Sequence, residues 1–153
     1  MKRNTGINIG LIIVSLTTIL TGFVIQLEYH MGGISPAVET WGLTYNNWSF
    51  FHKLSIVFFS LLTLFHIISH WKWYKITVIK KLISKNKQTI ILSVIFILTA
   101  ITGYIAWFAG LVNGAASSDA MLFRKTFIEI HDKISIILTI YIIFHVVKRM
   151  KRI

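Results

Sequence analysis

The sequence predicts an all-α, integral-membrane four-helix bundle, running up-down-up-down and made of two repeated helix pairs. Three observations predict it. Four long stretches are apolar and nearly free of charge, the basic residues gather in the segments that join alternate stretches, and the second half of the chain repeats the plan of the first. The composition agrees: of 153 residues 55% are hydrophobic and 14% charged, with one proline and a mean hydropathy of +0.71. That balance excludes a disordered chain and is foreign to an ordinary soluble domain. A net charge of +11 would suit nucleic acid only if Lys and Arg were spread over a soluble face, and here they are confined between apolar runs, so no nucleic-acid partner is expected. The absence of cysteine excludes disulfides, thiolate zinc sites, iron–sulfur clusters and covalently attached c-type haem. The chain reads as a single membrane domain, 1–153, with repeat one at about 5–74 and repeat two at about 86–150.

A helix crosses a bilayer with about 20 apolar residues. The first stretch is uncharged over residues 4–27, the second lies between Lys53 and Lys72, and the third spans 88–118 with its apolar part ending near Phe108. The fourth, between Lys133 and Lys148, is short and reaches spanning length only by extending through residues 127–132. Its far end then carries Glu129, His131 and Asp132, a run too polar for a lipid-facing surface and suited to protein, cofactor or water.

Charge sets the expected orientation. Lys2 and Arg3 precede the first stretch, six lysines (72, 75, 80, 81, 85 and 87) follow the second, and Lys148, Arg149, Lys151 and Arg152 follow the fourth; no acidic residue shares that side. By the positive-inside rule both termini are expected in the cytoplasm, giving a multi-pass protein of the cytoplasmic (inner) membrane. The first stretch is too long for a usual signal-peptide core and lacks a small-x-small cleavage site, so it is expected to remain as a helix. The lysine-rich segment 72–87 reads as a cap attracted to anionic lipid, or as a docking site for a partner.

Placing residues 51–73 over 130–152, an offset of 79, sets His52 on His131, Phe65 on Phe144 and His66 on His145. An offset of 81 sets Thr21-Gly22-Phe23 on Thr102-Gly103-Tyr104. The first helix of each pair thus carries a Thr-Gly-aromatic step, and the second carries two histidines fourteen residues apart. Fourteen residues are two heptads, which return both histidines to one face about 21 Å apart along the axis. In an up-down-up-down bundle His52 and His131 share the outer depth, and His66 and His145 the inner depth. A single intramembrane histidine is commonly a helix–helix hydrogen bond; four at matched spacing point to ligation.

Zinc or copper would want three or four clustered ligands, and no carboxylate or cysteine lies at the right depth. Haem needs only two imidazoles on opposite sides of the iron, and such ligation leaves no open position, so its chemistry is one-electron transfer. Gly22 and Gly103 lie at the outer depth, where a missing side chain either lets a flat macrocycle approach or lets two helices pack closely.

At these residues the chain resembles a known group. Trp48-Ser49-Phe50-Phe51-His52, then His66, then His70-Trp71-Lys72-Trp73, is similar to the signature of the flavinylation-associated cytochrome family, small integral-membrane proteins of bacteria. The signature covers residues 48–73, and the resemblance to diheme four-helix b-type cytochromes covers nearly the whole chain. The resemblance implies two non-covalent b-type haems with bis-histidine ligation, held by His52, His66, His131 and His145. It also implies electron traffic between the quinone pool and an extracytoplasmic redox partner (a flavoprotein, an iron–sulfur protein, or a dehydrogenase or hydrogenase).

His70 lies one turn below His66, and its repeat counterpart is Arg149. As an inner ligand it would miss the depth of His145 by about 6 Å. It reads instead as an interfacial residue near a haem propionate or quinone headgroup, alongside Arg149, or as part of the belt of Trp71 and Trp73. His30 reads as a plain loop residue. The outer connections, about 28–47 and 109–125, are short, and the first, with Gly32, Gly33, Pro36, Trp41 and Tyr45, reads as a compact aromatic lid. No Rossmann fingerprint, P-loop or nucleophile motif is present, so dehydrogenase or reductase chemistry is expected on a partner, and the chain reads as an electron-transfer subunit rather than a self-contained enzyme. Two other functions compete: a metal or ferric reductase subunit, and a haem-free proton or metal-ion transporter using the histidines as relays.

Overall fold

The computed structural model describes the backbone of residues 5–112 and 117–150, and the side chains of 6–112 and 117–148. Among these residues the fold is all-α: α1 (Thr5–Val24), α2 (Tyr45–Ser69), α3 (Trp71–Ile79), α4 (Lys87–Val112) and α5 (Ser118–Met150). A seven-residue π-helical segment, Ile25–Met31, continues α1, and a 3₁₀ turn, Ser84–Asn86, leads into α4. Four helical segments (Gly6–Met31, Tyr45–Ser69, Ser84–Val112 and Ser118–Lys148) are long and apolar enough to cross a bilayer, as a multi-pass membrane protein requires.

The burial pattern is that of helices solvated by lipid. Many buried positions are small and polar, including Ser15, Thr21, Ser55, Thr99 and Thr102, whereas Leu16, Leu20, Leu64, Ile97, Ile101 and Ile143 are exposed. In water this would be inverted; between helices in hydrocarbon, small and hydroxyl side chains make the close contact and the leucines meet the tails.

The chain divides into two compact units, Met1–Ile76 and Thr77–Ile153, the boundary falling inside α3. In the first unit α1 and α2 pack antiparallel, as Thr18–Ser55 and Thr21–His52 contacts near the loop and a Gly10–Leu62 contact toward the far end require. In the second, α4 and α5 pack antiparallel, with Arg124 against Gly110 at one end and Lys148 Nζ donating to Gln88 Oε1 (3.1 Å) at the other.

The expected ends shift. α5 does not begin near residue 127 but at Ser118, and it is 33 residues long. Arg124, Lys125, Glu129 and Asp132 lower the hydropathy of this stretch without breaking its backbone, since straight-chain charged residues are good helix formers. Ser117 starts it: its Oγ accepts from the Ala120 N–H (3.2 Å), its carbonyl accepts from Met121, and Asp119 stands in the first turn. The connection expected at 109–125 is correspondingly shorter, because α4 continues to Val112. His30 lies in the π-helical segment rather than in a loop.

Residues 32–44 form the compact aromatic connection. Val24, Ile25, Tyr29 and Trp48 make a buried cluster, joined by Ile34, Leu43 and Tyr45. Tyr29 Oη donates to the carbonyls of Val38 (3.0 Å) and Leu43 (3.2 Å), and Trp48 Nε1 donates to that of Thr40 (2.9 Å). Each aromatic ring thus buries its body while its polar atom satisfies a loop carbonyl. Gly32 is required where the chain leaves the π-helical segment, since a Cβ there would sit 2.6 Å from the Glu28 carbonyl oxygen. Beyond α2, all six lysines of residues 72–87 are exposed.

Candidate functional site

The four paired histidines lie on α2 and α5, two on each, and all are half-buried. His52 and His131 stand nearer the N-terminal ends of these helices, each facing the Thr-Gly step of the helix that precedes it.

In the first unit, the Nδ1 of His52 is 2.9 Å from Thr21 Oγ1. The Thr21 hydroxyl also lies 2.9 Å from the Thr17 carbonyl and 3.1 Å from that of Thr18. With the hydroxyl proton turned to one of these carbonyls, Thr21 is an acceptor for Nδ1–H. A second set of contacts steadies the same turn: Thr18 Oγ1 lies 2.8 Å from the Val14 carbonyl and 3.0 Å from Ser55 Oγ, and Ser55 Oγ donates to the His52 carbonyl (2.9 Å).

In the second unit, the Nδ1 of His131 is 3.0 Å from the main-chain carbonyl of Thr99 and 3.5 Å from Thr102 Oγ1. A carbonyl partner requires the proton on Nδ1. The Thr102 hydroxyl turns its own proton to the carbonyls of Leu98 and Thr99, both at 3.0 Å. The neutral His131 ring bonded in this way carries its lone pair on Nε2, and the same tautomer satisfies the His52 contact with the Thr21 hydroxyl.

Gly22 and Gly103 make these contacts possible. A Cβ on Gly22 would lie 3.0 Å from His52 Cε1, and one on Gly103 would lie 2.8 Å from His131 Cε1 and 2.9 Å from its Nδ1. Of the two roles open to these glycines, the observed contact is close packing, and the group packed against each is the imidazole.

His66 and His145 lie fourteen residues further along their helices. His66 has His70 as a ring neighbour, with centroids 4.7 Å apart and planes tilted by 56°. His70 itself caps α2: its N–H bonds back to the carbonyls of His66 and Ile67, both at 3.1 Å, and α3 starts at the next residue. The side chain of Arg149 lies outside the described residues. His30 is exposed, its ring 6.3 Å from that of Tyr45. Thr63, three residues before His66, has a buried hydroxyl with no hydrogen-bond partner among the described residues.

Thr21 stands in the repeated Thr-Gly-aromatic step, whereas its contact with His52 and the Thr99 carbonyl that meets His131 are not among the sequence expectations, yet a signal for them exists. The offset of 81 that aligns the Thr-Gly steps also sets Thr18 on Thr99, extending the repeat to Thr18-Ile19-Leu20-Thr21-Gly22-Phe23 and Thr99-Ala100-Ile101-Thr102-Gly103-Tyr104.

Among the described residues no three His, Asp or Glu side chains gather as a metal-ion site. Neutral imidazoles with Nδ1 committed to a neighbouring helix are of the type that axial ligation uses. No family model matches the chain, nor does any curated protein or solved structure.

Proposed function

We propose that this chain is a transmembrane diheme b-type cytochrome of the flavinylation-associated kind, the electron-transfer subunit of an oxidoreductase complex. It would conduct electrons between the quinone pool and an extracytoplasmic redox partner. The observation that carries this reading is the seating of the leading histidines: in both units Nδ1 lies within hydrogen-bond distance of the preceding helix, which leaves Nε2 as the nitrogen to ligate. In this proposal His52 and His131 hold one haem, and His66 and His145 the other. Each pair draws one imidazole from each repeat.

A bis-imidazole haem supplies one-electron transfer with no open coordination position. The chain's own residues supply the rest. Thr21 and the Thr99 carbonyl hold the imidazole planes, Gly22 and Gly103 let those rings lie against the helix, and the leucine- and isoleucine-rich exterior keeps water from the ligands. The basic segments support a topology with both termini in the cytoplasm and all five acidic residues on the opposite side. That outer side, with its 32–44 connection, is the proposed docking face for a flavin-, iron–sulfur- or metal-bearing partner, and quinone meets the inner haem, toward the His70 end of α2.

Haem content tests the reading directly. The purified chain should carry two b-type haems, released intact by acidified acetone because no cysteine attaches them. A stoichiometry near one, or none, would overturn the four-ligand assignment.

A further inference from the structure

The two leading histidines are held by chemically different acceptors, although the sequence repeat makes their surroundings look equivalent. His52 Nδ1 bonds a side-chain hydroxyl, Thr21 Oγ1, at 2.9 Å. His131 Nδ1 bonds a main-chain carbonyl, that of Thr99, at 3.0 Å, and the hydroxyl equivalent to Thr21 stands off at 3.5 Å. The back-bonding of the two hydroxyls is otherwise alike: Thr21 Oγ1 lies 3.1 Å from the Thr18 carbonyl and Thr102 Oγ1 3.0 Å from that of Thr99.

We propose that Thr21 is the positioning residue for His52, fixing its ring plane and its Nδ1–H tautomer through one side-chain hydroxyl, while the Thr99 main-chain carbonyl does this for His131 and leaves Thr102 dispensable for it. The consequence for iron rests on the reading of His52 and His131 as ligands. An imidazole whose Nδ1–H donates to an acceptor gains electron density at Nε2, stabilises the oxidised metal and lowers its potential. Losing the hydroxyl at position 21 removes that donation on one side of the iron. Losing it at position 102 does not, because the carbonyl remains.

Ser55 strengthens the difference. Through its bond to the His52 carbonyl and its 3.0 Å contact with Thr18 Oγ1, it ties the His52 backbone to α1, so the ring has a fixed base. A Thr21→Val side chain matches the shape of threonine, preserves packing against α2 and deletes only the hydroxyl.

The test uses the full chain as purified, labelled with ¹⁵N-histidine and reduced so that any bis-imidazole iron is diamagnetic. Thr21→Val, Thr21→Ser and Thr102→Val are compared with the parent in two measurements. The first is exchange of the His52 and His131 Nδ1 protons with deuterated solvent, the second the midpoint potentials of the chain. Thr21→Val should speed exchange at His52 about tenfold, the worth of one hydrogen bond, and raise one of the two potentials. Thr21→Ser should restore both, and Thr102→Val should leave both at parent values. Equal effects of Thr21→Val and Thr102→Val, or failure of serine to rescue, would overturn the proposal. A chain without haem would overturn the proposed function separately, and the Nδ1 exchange rates would still decide the role of Thr21.

Discussion

A methyl group is the smallest probe of how the leading histidines are seated. At Gly103 it would enter within 2.8 Å of His131 Cε1 and 2.9 Å of Nδ1, closer than carbon contacts allow, and at Gly22 it would lie 3.0 Å from His52 Cε1. The rings cannot yield freely, since each is anchored by its Nδ1 bond. Gly103→Ala should therefore destabilise the second unit by about 1–3 kcal/mol, the usual cost of overpacking, and Gly22→Ala the first unit by less. Thermal unfolding in detergent measures both, with loss of the outer haem expected to follow the same order. The trailing histidines separate by substitution: His66→Ala should lose the inner haem, while His70→Ala, at the end of α2, should keep two haems, as haem assays of the purified variants would show. Retention in the first and loss in the second would move the ligand from His66 to His70.

Single contacts decide how the ends of the helices are built. The connection 32–44 is held to the π-helical segment and α2 by three hydrogen bonds from two side chains, Tyr29 and Trp48, to main-chain carbonyls, of which the Trp48 indole to Thr40 is buried. Trp48→Phe keeps an aromatic body in the cluster but leaves the Thr40 carbonyl without that donor. A cost of about 1 kcal/mol is expected, seen as a lower unfolding midpoint and faster proteolytic cleavage within residues 32–44. Unchanged cleavage would show that the loop is ordered by its backbone bonds alone. At the start of α5 the sequence reading stopped about nine residues short, because hydropathy reports the cost of leaving water while helix continuation follows backbone propensity. The Ser117 cap and Asp119 were the local signals that mark the true start.

Membrane orientation is a property of the whole charge distribution, and the absence of native cysteine makes it simple to measure. Ala37→Cys, in the exposed 32–44 connection, should react in intact cells with a membrane-impermeant maleimide. Lys85→Cys, among the exposed lysines, should react only after the membrane is opened. The reverse pattern would invert the proposed topology and move the docking face to the lysine-rich side. Crosslinking in intact cells addresses the partner itself: contacts confined to residues 72–87 and 148–153 would place it on the cytoplasmic face and exclude outer docking.

Four apolar stretches, their basic flanks and the paired offsets of 79 and 81 are periodic or compositional, so the linear order of residues determines them without reference to contacts. From them follow the all-α class, the candidate spans and the matched histidines. Acceptors are different in kind. Whether an imidazole bonds a hydroxyl or a carbonyl depends on a few tenths of an ångström between two packed helices, and a main-chain carbonyl has no letter in a sequence. The Thr21 and Thr99 contacts, the imidazole edges over Gly22 and Gly103, and the π-helical exit from α1 belong to that class. Only the packing of α1 on α2 and of α4 on α5 decided them, because short-range directional bonds are fixed by three-dimensional approach and not by periodicity.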